Sequence, residues 1–221
     1  MGADGRRVRP RLPADHVGVD LKSIDWIQAG VNEPGRTEKV RLSLPDGLRY
    51  SSAAERSLND LLLAGDVDAV MSARPPAALG NGIDRLMADY QEQEEHYFRA
   101  TNIYPIMHAL VVKTSVLDAH PWVGMNLYKA FKMAKDRSMA RMSDVTASHA
   151  PLAWLAEYAN RLEDLFGVDY FPYGIGKDEG GALNRTTLEA FCKFGHDQGI
   201  CERRLSVDEL FPKNVLATFK V

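Results

Sequence analysis

The sequence predicts an α/β chain with helices packed over a mostly parallel sheet. Three observations carry this. Short strand-like runs alternate with helical stretches in the first half. Residues 67–73 are almost continuously apolar, as a strand covered on both faces should be. Residues 101–123 pass from a polar, aromatic and imidazole-bearing stretch into an apolar strand at 106–113, and then into a Pro-started helix. Strand–helix alternation followed by a helix-dominated second half is the pattern of that class.

Each element has a local reason. Residues 23–29 roughly alternate apolar and polar and read as a strand, closed by the turn Asn32-Glu-Pro-Gly-Arg36. Residues 47–51 read as a second short strand. A short helix follows at 57–64, capped by Ser57 with Asp60 and stopped by Gly65. The strand at 67–73 ends in Arg74-Pro-Pro76, which cannot continue a ladder. Residues 84–98 form a polar helix rich in Glu and Gln. The helix at 121–142 aligns Val123, Leu127, Ala130, Phe131 and Ala134 in one apolar stripe and leaves Lys129, Lys132 and Lys135 on a solvated face. Residues 152–166 are again amphipathic. A Gly-rich loop at 171–181 leads to a helix starting near Thr186, where Thr186 and Glu189 make a capping box; Ser206 and Glu209 make another. His120 is expected to cap the helix after it, and Trp26, Trp122 and Trp154 to lie in the core.

Composition narrows the function. The chain has 221 residues, 45% hydrophobic and 26% charged, which is ordinary for a globular protein. A net charge of −3 without a basic stripe argues against a nucleic-acid partner. No apolar run is long enough to cross a bilayer, so no membrane partner is expected. The charged start lacks the apolar core of a secretory leader. Two cysteines, Cys192 and Cys201, make neither a disulfide framework nor a metal knuckle; reduced thiols in the cytoplasm are the expectation, with a single bridge as the lesser alternative. Glu92 and His96 have helical spacing for two metal ligands on one face, but a solvated charged helix accounts for them, and no metal or cofactor is expected.

His108 stands at the start of the predicted strand at 106–113. Strand ends open into clefts in α/β sheets, which places this imidazole for ligand contact or proton transfer. On the residues alone it is equally a structural histidine bonded to a carbonyl.

Several motifs together carry a resemblance. They are Glu33-Pro-Gly-Arg36, Gly65-Asp-Val-Asp-Ala69 with Ala73-Arg-Pro-Pro76, Tyr104-Pro-Ile-Met-His108, His120-Pro-Trp-Val123 with Leu127-Tyr-Lys-Ala-Phe131, Pro172-Tyr-Gly174 with Asn184-Arg185, and Glu209-Leu-Phe211. In this order they resemble the 4,5-dihydroxyphthalate decarboxylase family, from about Val17 to Phe211. The resemblance implies a two-lobed fold like the type II periplasmic binding proteins, N-terminally truncated, because the family's opening strands have no counterpart before Val17. It divides the chain into an atypical or disordered start at 1–16, the remainder of the second lobe at 17–102, and the returning part of the first lobe at 103–221. A sheet edge left open in this way makes a homo-oligomer an expectation.

The resemblance also implies the chemistry: non-oxidative decarboxylation of a dihydroxylated aromatic dicarboxylate. Such a site needs cations for two carboxylates, a base for a phenol and an acid for the ring carbon. Arg74, at a Pro-enforced break, is expected to hold one carboxylate with its planar fork, and Arg36 the other. A surface arginine at Arg74, or a solvated turn with a local Glu33–Arg36 pair, is the plainer alternative. His108 is the expected acid or base, Glu33 a second proton carrier, and Tyr104 a hydroxyl partner or a packing residue. Arg99 is expected to neutralise a carboxylate or to pair with the acidic helix before it, and Tyr173 and Arg185 to border the substrate or to serve only the turn. The other reading is a binding module for an aromatic or other organic anion, serving a transporter; a third is an inactive fragment.

Overall fold

The computed structural model describes residues 19–37, 44–176 and 179–212. The irregular start expected at 1–16 lies outside the described residues. By its internal contacts the chain forms two units, Met1–Glu94 with Gln198–Ile200, and Glu95–Asp197 with Cys201–Val221.

The first unit contains a parallel pair of strands, β1 (Asp25–Gly30) and β2 (Arg49–Ser57). Arg49 fastens its start. Its guanidinium pairs with Asp25 and donates to the carbonyls of Lys22 (3.1 Å) and Ser23 (3.2 Å). Across the pair the Tyr50 hydroxyl donates to the Gln28 side chain at 2.7 Å. The register slips between Gln28 and Gly30, so Gly30 pairs with Ser57. Helix α1 (Leu58–Ala64) starts there: the Ser57 hydroxyl accepts the Asp60 amide at 3.1 Å, and Gly65 ends the helix in the left-handed conformation at φ +77°. Ala29, Ser57, Leu61 and Ile83 are the buried residues of this unit among those described.

The second unit is helical among the described residues. Its elements are α2 (Tyr90–Thr101, whose first turn belongs to the first unit), α3 (Thr114–Ala119), α4 (Trp122–Met142), α5 (Leu155–Phe166) and α6 (Glu179–Asp197). A single 3-10 turn follows at Val207–Glu209, with the expected capping box: Glu209 accepts both the amide and the hydroxyl of Ser206, at 2.8 and 2.9 Å. Phe98 and Tyr104 both pack on Phe166, with ring centroids 4.4 and 4.7 Å away. Among the apolar residues of α5, Leu155, Ala156, Ala159, Leu165 and Phe166 are covered and Leu162 is exposed.

Among the described residues the structure is thus mostly helical with one small parallel sheet, and several expectations need correcting. Residues 67–73 and 106–113 are not strands. No described backbone hydrogen bond engages residues 105–112, and Met71 and Val111 are 84% and 86% exposed. Their apolar pattern asks for neighbours on both faces, and none of the described residues supplies a ladder. Helix α6 begins at Glu179, not near Thr186; the Thr186 hydroxyl instead donates back to the Ala182 carbonyl at 3.1 Å, as a mid-helix threonine does. His120 ends α3, its amide donating to the Val116 carbonyl at 2.8 Å, and Pro121 occupies the cap of α4. Trp122 and Trp154 are largely exposed. Trp154 enters α5 with φ +65°, an unusual conformation for a bulky residue.

Helix α4 is rolled relative to its apolar stripe. Val123 and Leu127 of the predicted stripe are half-buried, beside Met125; from Tyr128 onward the covered positions are Tyr128, Lys132, Lys135, Met139 and Met142, at alternating spacings of four and three, while Ala130, Phe131 and Ala134 face water. Two polar contacts set this roll. The Lys135 ammonium reaches both oxygens of Asp169 at 2.6 Å, and the Tyr128 hydroxyl donates to the Tyr173 carbonyl at 3.3 Å. Lys135 is therefore buried, not solvated.

Candidate functional site

In the first unit three of the expected residues, Glu33, Arg36 and Arg74, lie on neighbouring loops. The turn at 32–36 folds back hard on the end of β1. A β-carbon on Gly30 would stand 1.9 Å from the Glu33 carbonyl oxygen, so only glycine fits. Gly35 adopts φ +91° and donates its amide to the Ala54 carbonyl on β2 at 2.7 Å. This pins the turn to the sheet.

The second loop, which follows Arg74, is tied to the first by asparagines. The Asn32 side chain donates to the Pro75 carbonyl at 3.2 Å and accepts the Ala77 amide at 2.7 Å. Asn59, at the start of α1, accepts the Ala78 amide at 3.0 Å while its own amide donates to the Val31 carbonyl at 2.9 Å. Two side-chain amides thus hold residues 75–78 against residues 31–32. Arg36 and Arg74 are both exposed, and neither is ion-paired with a described residue. The local Glu33–Arg36 pair offered as the plain alternative is absent among the described residues. Two guanidiniums with open donor forks on adjoining loops are suited to binding oxyanions. Neither asparagine was singled out from the sequence. Asparagine in a turn signals backbone bonding, but partners nineteen to forty-five residues away are invisible to a local pattern.

In the second unit the expected residues are more occupied. Tyr104 packs on Phe166, and its amide donates to the buried Thr187 hydroxyl at 3.0 Å. Of its two expected roles, packing is thus visible. Arg99 pairs with Glu95 one turn earlier at 3.3 Å, and Glu95 also binds Arg161. Those contacts, Arg161 first, hold the Glu95 carboxyl below its usual range. His108 is exposed on the irregular 105–112 segment, because the strand meant to present it does not form.

Tyr173 belongs to a well-fixed loop. Asn184 donates to the carbonyls of Pro172 (2.9 Å) and Gly174 (2.8 Å), and the Lys135 ammonium lies 5.7 Å from the Tyr173 ring centre. The start of α6 presses on this loop through Gly181, where a β-carbon would stand 2.4 Å from the Gly176 nitrogen. Arg185, further along α6, pairs with Asp208 at 2.8 Å. It lines an open cleft of about 440 Å³ with Glu189, Arg204 and the 205–209 segment. Among the described residues no three His, Cys, Asp or Glu gather as a metal site.

Comparison with known proteins decides the kinship. Over 211 residues the chain is 31% identical to the 4,5-dihydroxyphthalate decarboxylase of Comamonas testosteroni, covering 94% of this chain and 62% of that protein. The chain is a homologue of 4,5-dihydroxyphthalate decarboxylase. The enzyme of the same name from Pseudomonas putida is 33% identical over 97 residues, 42% of this chain and 37% of its own length. No protein-family model matches. The chain thus spans less than two thirds of the Comamonas relative. Among its described residues no helix is long and apolar enough to cross a membrane.

Proposed function

We propose that the chain is a non-oxidative decarboxylase of a dihydroxylated aromatic dicarboxylate, of the 4,5-dihydroxyphthalate type. The observation that carries the reading is the homology along 94% of the chain. The guanidiniums of Arg36 and Arg74, unpaired among the described residues, support it, because such a substrate brings two carboxylates.

The chemistry explains what the side chains must do. Direct loss of carbon dioxide leaves an aryl carbanion, which is prohibitively unstable. Removing the proton of the hydroxyl para to the departing carboxylate pushes electron density onto the carbon that bears it. That carbon takes a proton, carbon dioxide leaves, and its bonding pair restores the aromatic ring. In this reading Arg74 and Arg36 bind carboxylates, and Glu33 and His108 are the proton carriers. Tyr104 bonds a ring hydroxyl, and Arg99, Tyr173 and Arg185 border the substrate. General acid–base help of this kind is worth about 10²–10⁴-fold. In the same reading these roles belong to a two-lobed binding-protein-like fold in the cytoplasm with a second copy as partner, and the sequence similarity along the chain supports that reading.

The test supplies 4,5-dihydroxyphthalate and follows carbon dioxide and 3,4-dihydroxybenzoate. Turnover supports the reading; no product and no ligand-induced rise in melting temperature overturns it. A rise without turnover gives the alternative, an anion-binding module. His108→Gln at full rate removes His108 from the mechanism.

A further inference from the structure

Cys192 and Cys201 stand apart from every residue proposed for the reaction, yet the fold brings them together. Cys192 is buried on α6 and Gly195 lies one turn further along the same helix. Residues three apart on a helix share a face, with β-positions about 5–6 Å apart. The chain then turns back, and the Cys201 amide donates to the Gly195 carbonyl at 3.1 Å. The Cys201 Sγ lies 3.9 Å from where a β-carbon on Gly195 would be. The Cys201 sulfur thus lies at ordinary contact distance from the Gly195 position, beside the turn that carries Cys192. Burial raises the pKa of the Cys192 thiol, and negative charge at Cys201 raises it further, as expected of close sulfurs. Both cysteines are free thiols in the structure, and Cys201 is the more accessible of the two.

We propose that Cys192 and Cys201 are a thiol pair that closes to a reversible intramolecular disulfide by exchange with a small disulfide such as oxidised glutathione. The accessible Cys201 thiolate attacks one glutathione sulfur and expels one glutathione thiolate, leaving a mixed disulfide. The Cys192 thiolate then attacks the Cys201 sulfur and expels the second glutathione. Two protein thiols are oxidised and one glutathione disulfide is reduced to two thiols, so protons and electrons balance. The closed bond fixes Cys201 to α6, and with it the start of the 203–209 segment whose Arg204 lines the cleft beside Arg185.

The experiment incubates the full chain with oxidised glutathione and reads intact mass and maleimide-reactive thiols. The expected product is lighter by two hydrogens, monomeric on a non-reducing gel, without reactive thiol, and restored by dithiothreitol. Cys192→Ser removes the resolving thiol and is expected to accumulate one glutathionyl group on Cys201. Cys201→Ser is expected to stay unmodified over the same period. A wild-type chain that keeps both thiols, stops at the glutathionyl adduct, or links two chains overturns the proposal.

Discussion

Lys135 and Asp169 form a lopsided ion pair. The lysine side chain is only 5% exposed, the aspartate 40%, and both carboxylate oxygens lie 2.6 Å from the ammonium. The lysine has given up its water, and Asp169 is its chief compensation, with Asp136 behind it at 3.2 Å. Deleting one partner of a desolvated pair is worse than replacing the cation by an apolar chain of similar length. Asp169→Asn should therefore lower unfolding stability by about 1–3 kcal/mol. Lys135→Met should cost clearly less, and urea unfolding of the two variants provides the comparison.

Asn32 supplies two of the bonds that hold the loop after Arg74. Asn32→Ala removes both, and net hydrogen bonds are worth about 0.5–1.5 kcal/mol each. The expected result is faster hydrogen exchange at the Ala77 amide. Under the proposed function it also brings a raised KM with a smaller change in kcat. An Ala77 amide that exchanges no faster in the variant removes Asn32 from the positioning of this loop.

Gly30 has a carbonyl where a β-carbon would go. Gly30→Ala must push the Glu33 peptide outward and strain the turn that carries Arg36. The expectation is a loss of about 1–3 kcal/mol in stability, the usual range for overpacking. Gly65→Ala is a useful comparison: it meets no atom within 4 Å, but its φ of +77° imposes its own backbone strain. Parallel denaturation curves separate clash from backbone strain.

Glu209 gives a pH signature. Its carboxyl is lowered from 4.5 to about 2, first by Arg203 and then by the amide and hydroxyl of Ser206. A lowered folded-state pKa contributes stability above about pH 4.5 that fades as pH falls toward 2. Stability should therefore decline across that window, and Glu209→Gln should remove part of the slope. Arg203→Ala should raise the Glu209 titration midpoint more than Ser206→Ala does, read by carboxyl carbon NMR. Asp144, lowered to about 2 chiefly by the Thr146 hydroxyl, titrates in the same window.

What the sequence revealed depended on how local each signal was. Ser57 with Gly65, and Ser206 with Glu209, are complete instructions within a few residues, and both caps form as read. The α4 stripe misled because apolar count ignores polar reach: Lys135 could be drawn inward by Asp169, thirty-four positions away. The runs at 67–73 and 106–113 have strand composition, yet a strand exists only through a neighbour's ladder. The candidate arginines were visible as residues beside Pro and Gly breaks. The asparagine ties that bring the loops of Arg36 and Arg74 together were not, because nothing near Asn32 announces residues 75–77.

The wetted stretch from Ile106 to Val112 has a practical consequence at the bench. Met107, Leu110 and Val111 offer a greasy ribbon to any apolar matrix. The protein should be retained on phenyl resin at modest ammonium sulfate, since such salts strengthen apolar contact. Exchanging Leu110 and Val111 for serine should release it earlier in the descending gradient.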